Sequence, residues 1–399
     1  MKIISFIILF SCLVEAASAA ELNNQNILLN HQIQKIVDKE RIYYQLPALS
    51  VSIKLPGDKT PREFVSGFYD LSQKRKITPA TLFQIGSITK TFTASIIFKL
   101  IQENKLKKTD KLSQWLPQYP RWKDITVADL LWHTSGVYDY THGEDFDKLL
   151  RKNKVWTLAE LADRAYSFPD SATPGKSYHY TNTDYILLGL IIEKITQKPL
   201  KKVFDNYFHQ YHLNNTYYLP FDYSNQIKDR IAHGYNRDGT FKFNQDVTDI
   251  NLSFGQSAGA IISNPYDIVN WLEQLFSGKI ITHSSLDEMT RVISEKDAKP
   301  IHWRTDHLSN TQNSFIEVGA GAGIGLIYFK DSGFAWVHAG GTPGYESFYL
   351  YNPSQGIYLV LMYNVKPNQP LIFTKIAENI LKEGVTSDYF FKISFKTNV

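Results

Sequence analysis

The feature that most constrains the fold is the placement of strand-like segments near both ends of the 399-residue chain. Short apolar or alternating runs typical of β-strands occupy 48–55, 64–71, 324–329, 334–338, 347–351 and 357–364. The residues between the two groups have helical periodicity and loops. The sequence therefore predicts an α/β (α+β) fold, in which an antiparallel sheet flanked by helices is built from both chain ends.

A mainly helical region is predicted between the two sheet-forming parts. The sheet-forming parts cover about 30–104 and 320–385, and the helical insert covers about 105–319. Apolar residues at helical spacing predict helices over 32–45, 90–104, 127–132, 158–166, 184–196, 200–208, 267–276 and 372–382. Residues 20–399 are thus interpreted as one domain with a large insert.

The first 19 residues have the pattern of a signal peptide. Lys2 provides a positive start, an apolar run covers 3–14, and small residues at 17–19 suit a signal peptidase. No later segment approaches the roughly 18 apolar residues of a membrane-spanning helix. We therefore expect an exported protein, periplasmic or secreted, without a transmembrane anchor.

Cys12 is the only cysteine, and it lies in the predicted signal peptide. The mature chain is therefore expected to contain no disulfide framework, zinc ribbon or cysteine nucleophile. Lipid anchoring at Cys12 is an alternative, but the bulky Phe10 and the short leader disfavour it.

Charge and composition exclude further classes of protein. Lys and Arg number 43 and Asp and Glu 39, and a net charge of +4 is too small to favour a nucleic-acid partner. His302 and His307 lie in a polar stretch without the spacing of a metal-binding motif. We expect no metal and no cofactor. The expected partner is a small-molecule or peptide substrate, and the oligomeric state is left open.

The strongest local signal for chemistry is the pair Ser87 and Lys90. Residues three apart lie on one face of a helix. A serine hydroxyl needs a base within hydrogen-bond reach, and a lysine amine serves as that base when burial lowers its pKa. The helix around Lys90 is apolar, so the lysine either extends its amine to solvent or is buried for a purpose. Alone, however, the pattern occurs by chance in most long proteins, where it marks a helix-capping serine beside a surface lysine.

Two later segments add candidate site residues. Tyr180 and Asn182 follow a Pro-Gly turn and precede an apolar helix, so both side chains can point into a cleft. In the segment from His338 to Gly341, a strand runs into glycines, and Gly340 and Gly341 allow backbone N–H groups to approach a ligand closely. The alternatives are a structural turn with Asn182 or Thr183 as the helix cap, and a plain hairpin turn in which His338 is simply hydrogen-bonded.

Four motifs in order resemble one family. They are 86–90 (Gly-Ser-Ile-Thr-Lys), 130–136 (Leu-Leu-Trp-His-Thr-Ser-Gly), 174–182 (Pro-Gly leading to Tyr-Thr-Asn) and 338–340 (His-Ala-Gly). From about 32 to 380 the chain resembles the class C serine β-lactamases and the related penicillin-binding D-alanyl-D-alanine peptidases and esterases. The resemblance implies a β-lactamase/transpeptidase-like fold, in agreement with the expected arrangement of helices and strands.

The resemblance also implies roles for these residues. Ser87 would form an acyl-enzyme, Lys90 would take its proton, and Tyr180 would act as a base or as a proton shuttle to the leaving group. Asn182 would hydrogen-bond the substrate, and the backbone N–H groups of Ser87 and Gly341 would form the oxyanion hole. Whether Lys90 or Tyr180 is the base is left open.

One departure from the family pattern bears on the substrate. Class C β-lactamases have Lys-Thr-Gly where this chain has His338-Ala339-Gly340. A histidine anchors a substrate carboxylate less strongly than a lysine, so D-alanyl-D-alanine carboxypeptidase-like or esterase activity is expected ahead of β-lactamase activity. An inactive relative that binds a peptide or cell-wall fragment is a further alternative. The joint presence of Ser87, Lys90, Tyr180 and Asn182 speaks against it.

Another alternative uses Ser257 as the nucleophile. Residues 255–259 fit the G-x-S-x-G pattern of α/β-hydrolases, and Asp267 and His338 follow in the required order. That motif needs a buried strand before it and a helix directly after it. The preceding residues are polar and a proline follows at 265, so this alternative is disfavoured.

Overall fold

A computed structural model describes residues 24–72, 74–221, 223–301, 315–369 and 371–385. The predicted signal peptide at 1–19, with Cys12, lies outside the described residues. His302 and His307 also lie outside them.

Seven strands form one antiparallel sheet, which contains both chain ends. Its order is β2-β1-β12-β11-β10-β9-β8. Two further sheets of three short strands have the orders β13-β5-β6 and β3-β7-β4. The strands are β1 (Ala48–Lys54), β2 (Arg62–Gly67), β3 (Phe83–Gln84), β4 (Tyr217–Tyr218), β5 (Tyr235–Asn236), β6 (Gln245–Asp246), β7 (Ile261–Ser263), β8 (Phe315–Gly321), β9 (Ile324–Phe329), β10 (Gly333–Thr342), β11 (Tyr345–Asn352), β12 (Ile357–Tyr363) and β13 (Val365–Lys366).

The pairing of β1 with β12 joins the two ends of the chain. Leu49 lies opposite Tyr363 and Ile53 opposite Leu359, and all four side chains are buried. In β1, Leu49, Val51 and Ile53 alternate with serines, and this alternation fixes the register, because a slip by one residue would turn the serines toward the apolar core. The predicted fold class, an antiparallel sheet built from both ends with helices around it, is confirmed.

Strand β8 was not predicted. It begins at Phe315, within the expected helical insert, and forms the edge of the sheet beside β9. Glycines at 319 and 321 lower its strand propensity, and a register shift lies between Glu317 and Gly319. Pairing with β9 therefore outweighs the local signal.

The helices lie close to the predicted positions. They cover 24–43 (α1), Ile88–Gln102 (α2), Leu112–Trp115 (α3), Val127–Leu131 (α4), Glu144–Arg151 (α5), Leu158–Tyr166 (α6), Asn182–Thr196 (α7), Leu200–Gln210 (α8), Asn225–Lys228 (α9), Gln256–Gly259 (α10), Pro265–Phe276 (α11), His283–Met289 (α12) and Ile372–Asn379 (α13). A π-helical turn, Ile380–Gly384, continues α13. In the part of the chain that the structure describes, no helix is both long and apolar enough to cross a membrane.

Each face of the large sheet has its own hydrophobic core. Helices α1 and α13 cover one face, where Ile33 and Ile376 are fully buried among strand residues. Helices α2 and α11 and the helical region cover the other, where Phe92 stacks on Trp271 with ring centroids 3.7 Å apart. Helix α2 is buried on nearly all sides, so its first turn is held rigidly against β10.

Candidate active site

Ser87 lies at the start of the buried helix α2. It occupies the N-cap position, yet its hydroxyl caps no helix N–H group. Its Oγ lies 3.0 Å from Lys90 Nζ and accepts a hydrogen bond of 2.9 Å from the Tyr180 hydroxyl. The capping alternative is therefore wrong, and the hydroxyl is placed between an amine and a phenol.

Lys90 is completely buried. Its Nζ lies 2.8 Å from Asn182 Oδ1 and 3.0 Å from the Ala258 carbonyl oxygen, besides Ser87. Burial lowers the pKa of Lys90 to about 7, against the weaker raising effect of the buried carboxylates of Asp139 and Asp184. A substantial fraction of this amine is therefore neutral near neutral pH.

The partners of Lys90 determine where its lone pair points when it is neutral. Asn182 Oδ1 and the Ala258 carbonyl oxygen can only accept hydrogen bonds, so they take both N–H groups of the amine. The lone pair is then directed at Ser87, whose O–H donates to it. This is the geometry that a general base needs for a serine nucleophile.

Tyr180 precedes helix α7, which Thr181 caps through its side chain. The Tyr180 side chain is 40% exposed, and its ring packs against that of His133, with centroids 4.6 Å apart. Desolvation of the phenol raises the pKa of Tyr180, so it stays protonated near neutral pH and donates to Ser87. Lys90 Nζ lies 5.0 Å from the centre of the same ring.

Asn182 is the first residue of α7 rather than its cap. Its Oδ1 accepts from Lys90, and its Nδ2 donates to Asp139 Oδ2 at 3.2 Å and Thr141 Oγ1 at 3.3 Å. The resemblance implies a hydrogen bond from Asn182 to substrate. The structure places its amide against Lys90 instead, and the substrate contact stays a prediction.

The glycines of β10 bring the strand against the Ser87 segment. A Cβ on Gly86, which has a positive φ of 47°, would lie 2.6 Å from the N and O atoms of Gly341. A Cβ on Gly340 would overlap the Ile85 carbonyl oxygen, which also accepts a 2.8 Å hydrogen bond from Ser347 Oγ. Backbone N–H groups at Ser87 and Gly341 thus belong to segments in close contact.

His338 lies on β10 at the wall of the cavity beside Tyr180. Its Nδ1–H donates to the Ala339 carbonyl oxygen at 2.7 Å, because a carbonyl can only accept. Burial and the nearby Lys90 charge lower the pKa of His338 to about 4. The ring is therefore neutral near pH 7, and its Nε2 is an acceptor.

A cavity of about 300 Å³ begins at His133, Tyr180 and His338 and extends along the sheet edge. Its wall includes apolar side chains such as Val337, Phe348 and Phe373, and polar groups at Tyr178 and Glu317. Among the described residues, no group of three or more His, Cys, Asp or Glu side chains could hold a metal ion. The arrangement suits an organic substrate with an apolar part.

The sequence analysis missed several residues that surround this site. Asp139 contacts Asn182, and His133 Nδ1 lies 2.9 Å from Asp184 Oδ2 beneath Tyr180. Ser135 also donates a hydrogen bond to Asp184. His133 and Ser135 belong to the motif at 130–136 and Asp139 follows it, so polar residues in and after that motif were the available signal.

Ser257 does not form a nucleophile elbow. It lies in α10, is fully buried, and its Oγ donates to the Tyr185 carbonyl oxygen at 2.7 Å. Asp267 instead accepts hydrogen bonds from Asn215 and Thr216. The α/β-hydrolase alternative is therefore wrong, because its three residues are not assembled.

Known protein families and curated proteins include relatives of this chain. The model of the family described as Beta-lactamase matches residues 33–378. The chain is 26% identical over 349 residues to Protein flp of Staphylococcus aureus (strain N315), covering 84% of this chain and 63% of the relative. It is 26% identical over 294 residues to Penicillin-binding protein 4* of Bacillus subtilis (strain 168), covering 71% and 61%. The chain thus spans under two thirds of these relatives.

Solved structures are similar over nearly their whole length. D-amino acid amidase from Ochrobactrum anthropi SV3, complexed with L-phenylalanine amide, has a TM-score of 0.74 and 26% identity, covering 88% of this chain and 96% of that one. The penicillin binding protein from Bacillus halodurans has a TM-score of 0.69 and 21% identity, covering 86% and 99%. The second similarity shows the fold alone.

Proposed function

The chain belongs to the beta-lactamase family of serine hydrolases, and from this we propose that it cleaves amide or ester bonds by acyl transfer through Ser87. The observation that carries the proposal is the buried Lys90 amine, with a pKa of about 7, whose lone pair is directed at the Ser87 hydroxyl. An inactive binding protein has no use for such an amine, since burying it costs stability.

The proposed reaction has two halves. In acylation, Ser87 Oγ attacks the substrate carbonyl carbon while its proton passes to Lys90, and the backbone N–H groups of Ser87 and Gly341 bind the resulting oxyanion. The bond to the leaving group breaks, and that group receives a proton through Tyr180, which is reprotonated from Lys90. Water then attacks the acyl-enzyme and gives a proton to the same pair. The bond between the acyl carbon and Ser87 Oγ breaks, the pair returns the proton to Oγ, and the acid is released.

The neutral His338 bears on the substrate class. With Nδ1–H bound to Ala339, the ring presents an acceptor nitrogen and no charge, which does not attract a carboxylate. Together with the apolar cavity and the similarity to a D-amino acid amidase, this favours amides or esters of apolar D-amino acids. D-alanyl-D-alanine carboxypeptidase activity on cell-wall peptides is the second candidate, and β-lactam hydrolysis the third.

The proposed activity would take place in an exported compartment, because the sequence predicts a signal peptide.

A labelling experiment tests the nucleophile. A fluorophosphonate and a fluorescent penicillin should each modify the protein at Ser87, and Ser87→Ala should abolish both signals. Ser257→Ala is the matched control, because it removes a buried hydroxyl that donates to the Tyr185 carbonyl oxygen and not to Ser87. Absence of label from both reagents on folded wild-type protein would favour the binding-protein alternative. A panel of D-amino-acid amides, D-alanyl-D-alanine peptides and a cephalosporin then ranks the substrates.

The pH dependence of acylation follows from Lys90. The base form is the neutral amine, so the labelling rate at Ser87 should rise about tenfold per pH unit below about 7 and level off above it. At the ordinary lysine pKa of 10.5, only roughly one amine in three thousand would be neutral at pH 7. Fluorophosphonate labelling rates measured across this range check the expectation. A rate independent of pH around 7 would exclude Lys90 as the base.

A further inference from the structure

Asp139 accepts four hydrogen bonds next to the candidate site. It lies in the loop between α4 and α5 and is 4% exposed. Its Oδ1 accepts from the backbone N–H and the hydroxyl of Thr141, at 2.9 and 2.8 Å. Its Oδ2 accepts from the backbone N–H and the side-chain amide of Asn182, at 3.0 and 3.2 Å.

These bonds require a carboxylate. Each oxygen of Asp139 accepts a backbone N–H group, whose direction is fixed by the chain. An asparagine of the same shape would place its NH₂ group against one of these donors, which costs free energy because neither side can accept. The position is therefore specific for a group with two acceptor oxygens.

The carboxylate in turn orients the amide of Asn182. Because Asp139 Oδ2 can only accept, the Asn182 side chain must turn its Nδ2 toward it. Its Oδ1 is then directed at Lys90 Nζ, 2.8 Å away. In the reverse orientation, the amide NH₂ would face the amine and donate to its lone pair, in competition with Ser87.

We propose that Asp139 is a positioning residue for the acyl transfer: it holds the Asn182 amide with its oxygen toward Lys90, so that the lone pair of the amine stays available to Ser87. The inference rests on the proposed function, since it assigns a supporting residue to that same reaction. Within the described part of the chain, Asp139 hydrogen-bonds neither Ser87 nor Lys90, so it acts on the amine through Asn182.

The charge of Asp139 gives the proposal a second measurable consequence. The carboxylate raises the pKa of Lys90 against the larger lowering by burial. The other titratable groups around Lys90 are Asp184, Tyr180, Tyr185, His133 and His338. None of them is substituted in an Asp139 variant, and the Asp139 charge also raises the pKa of Tyr180 and Asp184, so a displaced pH profile would report the lost charge.

The test compares Asp139→Asn, Asp139→Glu and Asp267→Asn in the full chain. Asp267 is the matched control: it is 3% exposed and accepts a backbone N–H group of Asn215 and the Thr216 hydroxyl, away from the site. The readout is the fluorophosphonate labelling rate at Ser87 against pH, with thermal unfolding to identify folded variants.

In Asp139→Asn, the labelling rate at the alkaline plateau should fall about 10- to 100-fold. The midpoint of the pH dependence should move to lower pH by about 0.5 to 1 unit, because the lost charge no longer raises the pKa of Lys90. Asp139→Glu keeps the charge on a longer side chain. Its labelling rate at alkaline pH should therefore fall, while the midpoint of the pH dependence stays at the wild-type value. Asp267→Asn should lose thermal stability and keep the wild-type profile.

If folded Asp139→Asn has the labelling rate and the pH dependence of the wild type, the inference is overturned. The proposed function then still stands, since the wild-type enzyme reacts at Ser87. If Asp139→Asn does not fold, a wild-type plateau in folded Asp139→Glu would overturn the inference equally. Failure of the wild-type protein to label at Ser87 would remove the proposed function and this inference together.

Discussion

Replacement of Lys90 by methionine is expected to slow acylation of Ser87 by about a factor of 10³. Methionine has a similar length and no basic atom, so it fills the buried position and leaves the Ser87 proton without an acceptor. The Tyr180 phenol cannot substitute, because its raised pKa keeps it protonated near neutral pH. The fluorophosphonate labelling rate at Ser87 measures the effect, and the dependence of that rate on pH near 7 should disappear with it.

Lys99→Met is the matched control for Lys90→Met. Lys99 lies on the same helix α2, but its Nζ donates to the Tyr211 hydroxyl at 2.9 Å, away from Ser87. The control should keep the wild-type labelling rate and pH profile. A folded Lys90→Met that labels within a few fold of the wild type would show that another group takes the Ser87 proton.

Gly340→Ala is expected to damage stability and activity together. The added methyl group would overlap the Ile85 carbonyl oxygen and approach Ser347 Oγ to 2.7 Å, so β10 must move away from the segment that carries Ser87. Overpacking of this kind costs roughly 2 to 3 kcal/mol. Thermal unfolding should show a midpoint lower by about 5 °C or more. The labelling rate should fall at least about tenfold, because the Gly341 N–H group moves with the strand.

Gly325→Ala serves as the stability control for Gly340→Ala. It adds the same methyl group to the adjacent strand β9, where the nearest atoms, on Val337, lie at ordinary distances of 3.5 and 3.6 Å. The unfolding midpoint of this variant should lie within about 1 °C to 2 °C of the wild type, because a methyl group that overlaps no neighbouring atom changes the free energy of unfolding little. Equal unfolding midpoints for the two variants would contradict the close packing of β10 on Ile85.

Much of the fold was predictable because strong local patterns agree with the tertiary structure. In the strand at 48–54, Leu49, Val51 and Ile53 alternate with serines, and the strand at 357–363 is a nearly continuous buried apolar run. Both patterns are recognised without knowledge of their partners. Strand β8 shows the opposite case. Its glycines give no strand signal, and its hydrogen bonds to β9 and to Ile293 make it a strand.

The candidate site divides in the same way. Ser87 and Lys90 are three residues apart on one helix, so their proximity was predictable from the chain alone. The contact between Asp139 and Asn182 spans 43 residues, and nothing in the local sequence of either indicates it. The contact between His133 and Asp184 likewise joins residues far apart in the sequence, so only the folded chain shows it.

The sequence by itself determined which chemical groups are present and their local spacing: a serine and a lysine on a helix, a tyrosine and an asparagine at another helix start, and a glycine-containing strand. Periodicity and motifs are properties of neighbouring residues, so they can be read without the fold. Only the tertiary structure decided the protonation state of Lys90 and the direction of its lone pair. Both depend on desolvation and on acceptors contributed by distant segments, which come together only when the chain is folded.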